Sequence, residues 1–216
     1  MSEQGFLLVV SGFSGAGKGT VMKKLLEEHD NYALSVSATT RQPREGELDG
    51  REYFFKTEGQ FKEMIENEEL LEYAVYVNNY YGTPRAYVEE QLSKGNNVIL
   101  EIESVGALNV KKLFPEAVLI FIVPPSAEEL ERRLRGRGTE DEQTIRARLE
   151  KASAEADGVE RYDYIVINDT VEQCARKIDE IASGVQEVRS RCAAANNLGV
   201  IDSIREQLKL YSKGDK

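Results

Sequence analysis

The chain is short of the groups that build metal centres and disulfide frameworks. Its two cysteines, Cys174 and Cys192, stand in no metal-type spacing, and two thiols cannot staple a small secreted fold. Cys174 falls on an apolar helical stripe, where packing is its expected role. The single histidine, His29, stands at the expected end of a helix and carries no catalytic reading. Basic residues are outnumbered, 28 against 38 acidic, for a net charge of −10. That surface argues against duplex nucleic acid as a partner, though local basic clusters can still serve a small anion. No apolar run approaches the ~20 residues of a membrane span. The first residues, Met1 to Gly5, lack a basic region, and Phe6–Val10 is too short for a signal core. The expected compartment is therefore a reducing cytoplasm, with no membrane partner. Internal repeats and low-complexity segments are also missing.

What is present is enough chain for one α/β domain: 216 residues, 41% hydrophobic and 31% charged. The organising stretch is Gly12-Phe13-Ser14-Gly15-Ala16-Gly17-Lys18-Gly19-Thr20. The apolar run Phe6–Val10 precedes it, and Val21 to Leu26 follow with helical patterning. Strand, glycine-rich turn and helix in that order fit the phosphate-binding P-loop, G-x-x-x-x-G-K. The glycines let backbone N–H groups converge on phosphate oxygens, and the helix start adds partial positive charge. Lys18 can reach the outer phosphates as a point charge. The position after the lysine, where Ser or Thr usually helps to hold Mg²⁺, is Gly19, and Thr20 follows. The competing reading is a glycine-rich turn that binds nothing.

Further along, Tyr32, Leu34 and Val36 alternate as a strand, and Thr39 to Glu47 form a polar loop holding Arg41 and Arg44. Thr57 with Gln60 makes a capping box for a helix whose apolar face is Phe61, Met64 and Ile65. Leu70 to Tyr81 reads as strands joined at Asn78-Asn79. Thr83-Pro84 is expected to open a helix with proline in its first position, and Gly95 to close it. Val98–Glu103, Val118–Val123 and Tyr164–Asp169 are core strands. A short helix is expected from about Val105 to Leu113. Ser126 with Glu129, Thr139 with Glu142 and Thr170 with Gln173 are expected helix starts. The last of these helices carries Val171, Cys174, Ile178, Ile181 and Val185 on one stripe. A C-terminal helix follows from Ile201, Ile204, Leu208 and Tyr211 on one face. Core strands alternating with helices imply a parallel sheet with right-handed crossovers.

Several motifs together resemble guanylate kinase. They are Ser37-Ala38-Thr39-Thr40-Arg41-Gln42-Pro43-Arg44 with Gly46-Glu47 and Glu52-Tyr53, then Asn79-Tyr80-Tyr81-Gly82-Thr83, Leu100-Glu101-Ile102-Glu103 and Arg137-Gly138-Thr139-Glu140. They occur in the family's order and span about residues 6 to 182. The resemblance implies an α/β P-loop kinase with a parallel core sheet flanked by helices, a small, mostly β GMP-binding insertion and a lid. The expected limits are core 1–37, 82–134 and 158–190, insertion 38–81, lid 135–157, and a tail 191–216 of unassigned role. The implied reaction moves the γ-phosphoryl group of ATP to GMP, with dGMP as a further acceptor and Mg²⁺ arriving with ATP.

The resemblance also implies roles. Ser37, Arg41, Arg44, Tyr53 and Tyr81 would hold the GMP phosphate, and Glu72 and Thr83 would read guanine, with Thr83 donating to O6. Glu101 and Glu103 fall where the family has acidic residues near the nucleotide and its metal. Ser14, Gly15, Ala16, Gly17, Lys18, Gly19 and Thr20 would bind ATP phosphates, and Asn168 would lie near adenine. Arg133, Arg137 and Arg148 match lid arginines around the transferred group and, with Lys18, Arg41 and Arg44, make the catalytic set. Which protein groups bind the metal directly is left open, as is the oligomeric state. The chemistry agrees with these roles. Two arginines and hydroxyl donors suit a phosphate dianion. One carboxylate can accept both N1–H and the amino group of guanine, whereas adenine would leave it facing a lone pair.

Bland readings stand beside these. Arg132 and Arg135 are expected to be solvated helix charges, and Tyr73, Tyr76, Tyr80 and Tyr87 to pack. Two departures from the family pattern are Phe13, where proline is common, and Ser104-Val105, where an apolar residue and glutamine usually precede the glycine. Two other functions compete. A non-catalytic, phosphopeptide-binding module of this type would lack the intact Gly15, Gly17 and Lys18. A kinase for AMP would lack the use of Glu72 with Thr83.

Overall fold

A computed structural model describes residues 5–76, 78–136, 138, 141–187 and 198–212. The strands are β1 (Leu7–Gly12), β2 (Tyr32–Leu34), β3 (Ala38–Thr39), β4 (Phe54–Phe55), β5 (Leu70–Tyr76), β6 (Asn79–Pro84), β7 (Asn97–Glu101), β8 (Val118–Val123) and β9 (Tyr164–Ile167). The helices are α1 (Lys18–Glu28), α2 (Glu58–Glu66), α3 (Arg85–Ser93), α4 (Ser104–Leu113), α5 (Ala127–Arg135), α6 (Glu142–Ala156), α7 (Val171–Glu187) and α8 (Leu198–Ser212). Five strands form the core sheet in the order β2-β7-β1-β8-β9, with β2 parallel to β7 and β8 parallel to β9. The expected parallel core sheet flanked by helices is the architecture observed. Every residue of β8 is buried, as a strand covered on both faces requires.

Two compact units divide the chain, Met1–Val9 with Asp30–Ala117 and Val10–His29 with Val118–Lys216. The first contains a second sheet, in the order β4-β3-β6-β5, whose two faces have different work. Ala38 pairs with Gly82 and with Phe54, while Thr39 pairs with Tyr81 and with Phe55. Side chains alternate between faces along a strand, so Ala38, Gly82, Tyr80 and Phe54 share one face. That face is covered by α2, where Phe61 joins Ala38 and Leu70 in a small core with Met64 and Ile65 at its edge. Gly82 has no room for a side chain, since a Cβ there would lie 3.0 Å from Phe61 and 2.9 Å from the Glu72 carbonyl oxygen. The opposite face carries Thr39, Phe55, Tyr81, Thr83 and Glu72. In the hairpin joining β5 to β6, Asn78 has φ 62°, a left-handed position that asparagine tolerates.

Several helix starts follow the sequence. Thr57 and Gln60 form the full reciprocal capping box of α2. Ser126 accepts from the Glu129 amide at 3.2 Å and Thr170 from the Gln173 amide at 3.4 Å. Two starts differ. Pro84 is the last residue of β6 and the N-cap of α3, not its first helical residue. Its missing N–H costs nothing in either place, so the sequence could not separate them. The start of α6 is capped by Asp141, which accepts from the Thr144 amide at 2.8 Å. The expected pair of Thr139 with Glu142 therefore does not make this cap: a carboxylate next to the first turn takes the amide, with the helix dipole in its favour. Thr139 itself lies outside the described residues, as do Arg137, Glu140 and Cys192. The apolar stripe of α7 buries Cys174, Ile178 and Ile181.

The Thr57 box is exposed and independent of the remaining packing. Thr57→Ala is expected to lower the unfolding free energy by about 1 kcal/mol. Urea denaturation with an unchanged slope checks this; no shift in midpoint would mean that tertiary packing alone holds the start of α2.

Candidate functional site

The unit that contains β8 and β9 holds the phosphate loop. Gly12 ends β1 and α1 begins at Lys18. Phe13 is fully buried and meets Phe121 edge-to-face at 5.2 Å, so the residue that replaces the usual proline serves packing. Gly15 has φ 97° and Gly17 φ 88°, conformations that side chains disfavour. Crowding excludes side chains as well. A Cβ on Gly15 would lie 2.8 Å from Leu134, and one on Gly17 2.7 Å from the Asn168 amide nitrogen. Gly17 gives α1 no side-chain cap, so the first amides of the helix remain available to an anion.

Four of the expected site side chains converge on this loop. Lys18 donates from Nζ to the Gly12 carbonyl at 2.7 Å and to the Phe13 carbonyl at 3.4 Å. Asn168 donates from Nδ2 to the Ala16 carbonyl at 2.7 Å, while its Oδ1 is buried and has no hydrogen-bond partner among the described residues. Arg133 reaches the same Ala16 carbonyl at 3.3 Å and the Asn168 carbonyl at 2.9 Å. Arg148, on α6, donates to the Ser14 hydroxyl at 2.6 Å. Gly19 and Thr20 are exposed in the first turn of α1. Arg137 lies outside the described residues. Cys174 is buried, and desolvation pushes its thiol up to about 12, which leaves it inert.

Glu129 is a residue that the sequence reading missed here. Its carboxylate accepts from Arg133 Nε at 2.7 Å and from Arg132 Nε at 2.6 Å, and these bonds hold it down to about 2. The i,i+4 spacing from Glu129 to Arg133 was the available signal. Arg132 and Arg135 make helix-surface ion pairs, Arg135 with Glu131 and Glu142, as their bland reading expects.

The other unit gathers the second set on the face of the small sheet opposite α2. Arg41 forms a forked pair with Glu47, both bonds 2.9 Å, and its guanidinium stacks 5.2 Å from the Tyr53 ring. Tyr53 and Tyr81 meet edge-to-face at 6.0 Å. Burial raises the Tyr53 hydroxyl, with Tyr81, Glu47 and Glu101 adding to the rise and Arg41 opposing it, so these groups share one neighbourhood. Arg44 is exposed, and its amide donates to Glu47 at 2.7 Å. Ser37 is half-buried, its carbonyl accepting from the Phe54 amide at 2.9 Å. Glu101 ends β7, and Glu103 is the N-cap residue of α4. Glu47 was another missed residue. Six positions from Arg41 in a loop, it gave no periodic signal.

Glu72 and Thr83 sit opposite each other on β5 and β6. Glu72 is only 7% exposed and Thr83 is fully buried. The Thr83 hydroxyl donates to Glu72 Oε1 at 2.8 Å. The sequence reading expects that hydroxyl to donate to a base oxygen; here its partner is the Glu72 carboxylate. The other carboxylate oxygen lies against α4: a Cβ on Gly106 would be 2.6 Å from Oε2. Thr83 and Tyr81 are two residues apart on one strand face, a separation of roughly 7 Å that can serve the two ends of one elongated ligand. Burial raises Glu72 above the ordinary carboxylate value, and the two hydrogen bonds from Thr83 only partly offset it.

The sequence model of the guanylate kinase family matches residues 4–184. The chain is 48% identical to the guanylate kinase of Caldanaerobacter subterraneus subsp. tengcongensis over 96% of its length and 98% of that protein. It is 53% identical to the guanylate kinase of Bacillus anthracis over 89% and 94% of the two chains. The crystal structure of guanylate kinase from Anaplasma phagocytophilum superposes with a TM-score of 0.69 at 36% identity, covering 88% of this chain and 90% of that one.

The raised Glu72 carries a consequence for stability. Below the ordinary value of 4.5 both folded and unfolded chains hold the proton, so nothing is lost. As pH rises through 4.5 toward the folded value, the unfolded chain ionises first and stability is lost. Glu72→Gln removes that loss. Without nucleotide, the variant should gain stability over the parent as pH rises above 4.5. Denaturation at several pH values checks it; a difference independent of pH would show that Glu72 ionises as freely as in the unfolded chain.

Proposed function

The chain belongs to the guanylate kinase family, an enzyme family that phosphorylates GMP to GDP with ATP, and from that premise we propose how its own residues divide the work. Each unit would serve one substrate. The Phe13–Lys18 loop, with Gly19 and Thr20, would take the ATP phosphates, and the buried Oδ1 of Asn168 is an acceptor suited to the adenine amino group. The small-sheet face would take GMP. Arg41, Arg44, Tyr53, Tyr81 and Ser37 would meet its phosphate, and Glu72 its base. The proposed insertion is 38–81 and the proposed lid 135–157.

The observation that carries this reading is the buried Glu72 carboxylate on the same strand-pair face as Tyr81. A buried carboxylate is costly unless hydrogen-bonded to its full capacity. Guanine presents two adjacent donors, N1–H and the amino group, that complete it. Thr83, its proton on Glu72, fixes the carboxylate orientation and presents only lone pairs to a base. That assignment replaces donation to O6.

Phosphoryl transfer asks for alignment and charge, since the attacking phosphate oxygen is already anionic and needs no general base. Lys18 would leave the Gly12 and Phe13 carbonyls for the outer phosphates of ATP. Arg148, already on Ser14, would face the transferred group, and Arg137 takes the same duty from the family resemblance. Arg133, bound to the Ala16 and Asn168 carbonyls, would act from behind the loop.

Mg²⁺ would arrive with ATP. Among the described residues no group of three or more His, Cys, Asp or Glu side chains is arranged to hold a metal ion. That donor set fits an ion held by phosphates and water, with at most one or two protein ligands. Its protein contact would be the exposed Thr20 hydroxyl, one residue beyond the position that Gly19 leaves without one. The ion would neutralise charge on the β and γ phosphates. Among the described residues no helix is long and apolar enough to cross a membrane, and the thiol use suits a reducing cytoplasm.

Glu72→Gln tests the base assignment. It keeps the volume but presents one acceptor and one donor, so one guanine contact becomes donor against donor. A mismatched charged hydrogen bond costs on the order of 1.5–3 kcal/mol, and kcat/KM for GMP should fall roughly ten- to a hundredfold. AMP should lose less or gain. A GMP-to-AMP ratio that does not change would place base reading elsewhere. For the donor side, Lys18→Ala should lower kcat roughly a hundredfold or more with the fold intact. Near-parental turnover would remove Lys18 from the transfer.

A further inference from the structure

The C-terminal helix α8 lies after residue 184, where the family sequence model stops, yet it is built into the lid-side helices of its own unit. Ile201, Ile204, Leu208 and Tyr211 are all buried, at most 6% exposed. They follow the helical spacing of a single face. That face packs on α6, and α8 also touches α5. An amphipathic helix so covered is held by its neighbours and holds them in turn.

Its polar contacts fall where those two helices need them. Helix ends leave amides and carbonyls without intrahelical partners. At the start of α5, the Ala127 amide donates to the Gln207 side-chain oxygen of α8 at 3.2 Å. At the end of α6, the Ala156 carbonyl accepts from Arg205 at 2.5 Å. Arg205 also lies near Asp157, Asp202 and Glu160, at 3.5, 3.0 and 3.4 Å, so a cation sits where the α6 dipole is negative. Midway along α5, the Tyr211 hydroxyl donates to Glu131 at 2.5 Å. Glu131 accepts from Arg135 as well, and Arg135 reaches Glu142 in the first turn of α6. One helix thus satisfies the start of α5 and the end of α6, and joins the chain of ion pairs that links the other two ends.

What α5 and α6 carry makes this more than packing. Leu130 and Leu134 of α5 press on Gly15 of the phosphate loop, and Arg133 of α5 holds the Ala16 carbonyl. Arg148 of α6 holds Ser14. We propose that α8 is a clasp on the lid-side helices, with Arg205, Gln207 and Tyr211 as positioning residues that set Arg148 against the phosphate loop. The clasp touches neither nucleotide. It acts through the placement of α5 and α6, and so rests on the reading that Arg148 serves phosphoryl transfer.

The test uses the full-length chain. Tyr211→Phe removes one hydroxyl and keeps the ring; Arg205→Met removes the cap on α6 and keeps the stem. Combined, they should lower kcat roughly tenfold, since small misplacement of aligned groups is costly. Affinity for GMP alone, measured by calorimetry, should stay within about twofold. Arg148→Ala is measured alongside, singly and combined with the α8 pair. If α8 works through Arg148, the α8 changes should cost about twofold or less once Arg148 is gone. Equal losses with and without Arg148, or parental kcat in the α8 variants, would overturn the clasp while leaving the transfer role of Arg148 standing. Parental kcat in Arg148→Ala would overturn that role and the clasp with it. Thermal unfolding of each variant completes the comparison: a fall in GMP affinity and midpoint together with kcat would reduce α8 to a general stabiliser and overturn the proposal.

Discussion

The peptide between Ala16 and Gly17 is the constraint on which the proposed donor site depends. A trans peptide points its carbonyl and its N–H in opposite directions. The Ala16 carbonyl is drawn back by Asn168 at 2.7 Å and by Arg133 at 3.3 Å, so the Gly17 N–H must face the other way. That direction is the one a phosphate loop needs, because an anion is bound by amides already aimed at it. The same requirement explains the residue types. Gly17 adopts φ 88° with Asn168 packed so close that no Cβ would fit, and Gly15 leaves no space between itself and Leu134. Arg133 stays in place because Glu129 holds its Nε, and Glu129 in turn is fully ionised. An arginine in the sequence thus becomes part of the loop's support, acting through a backbone that it shapes.

In the other unit the governing constraint is the two-faced sheet. Its α2 face must be apolar and close-packed, which fixes Ala38, Gly82 and Phe61. The strict alternation of strand side chains then delivers Thr39, Tyr81, Thr83 and Glu72 to the opposite face in set order. A register slip of one residue would bury Tyr81 against α2 and expose the core. The order of functional groups on this face is therefore inherited from the packing of the other, which is how so small a sheet can hold a site at all.

Much of this was legible in the sequence because it depends on local rules. The P-loop, the core strands and the capping box of Thr57 with Gln60 follow from spacing alone, and the structure has each of them. The α8 stripe was legible too, since Ile201, Ile204, Leu208 and Tyr211 are all buried. Its partners were not, because helical periodicity says that a face is covered and never by what. Glu47 and Glu129 were missed for a related reason. The meaning of each lies in the arginine that it pairs with. The start of α6 went to Asp141 because two neighbouring capping residues competed and sequence spacing cannot weigh them.

Glu72 shows how a site can be chosen against its own stability. Burial disfavours its charge, and the hydroxyl and amide of Thr83 compensate only in part. An apolar residue in its place would suit the folded chain better. The carboxylate makes sense as a group whose hydrogen bonding is completed from outside the protein, by a partner with two adjacent donors. Thr83 narrows that partner further. With its proton on Oε1, it cannot donate elsewhere, so a base that presents acceptors along this edge finds only lone pairs. On the proposed assignment, selectivity would come less from attraction to guanine than from the cost that any other base incurs by leaving a desolvated carboxylate unmatched. Such discrimination needs a rigid frame, because a carboxylate free to turn toward water would escape the cost. Gly106, in the first turn of α4, approaches so closely that a Cβ there would lie 2.6 Å from Oε2, which limits such turning.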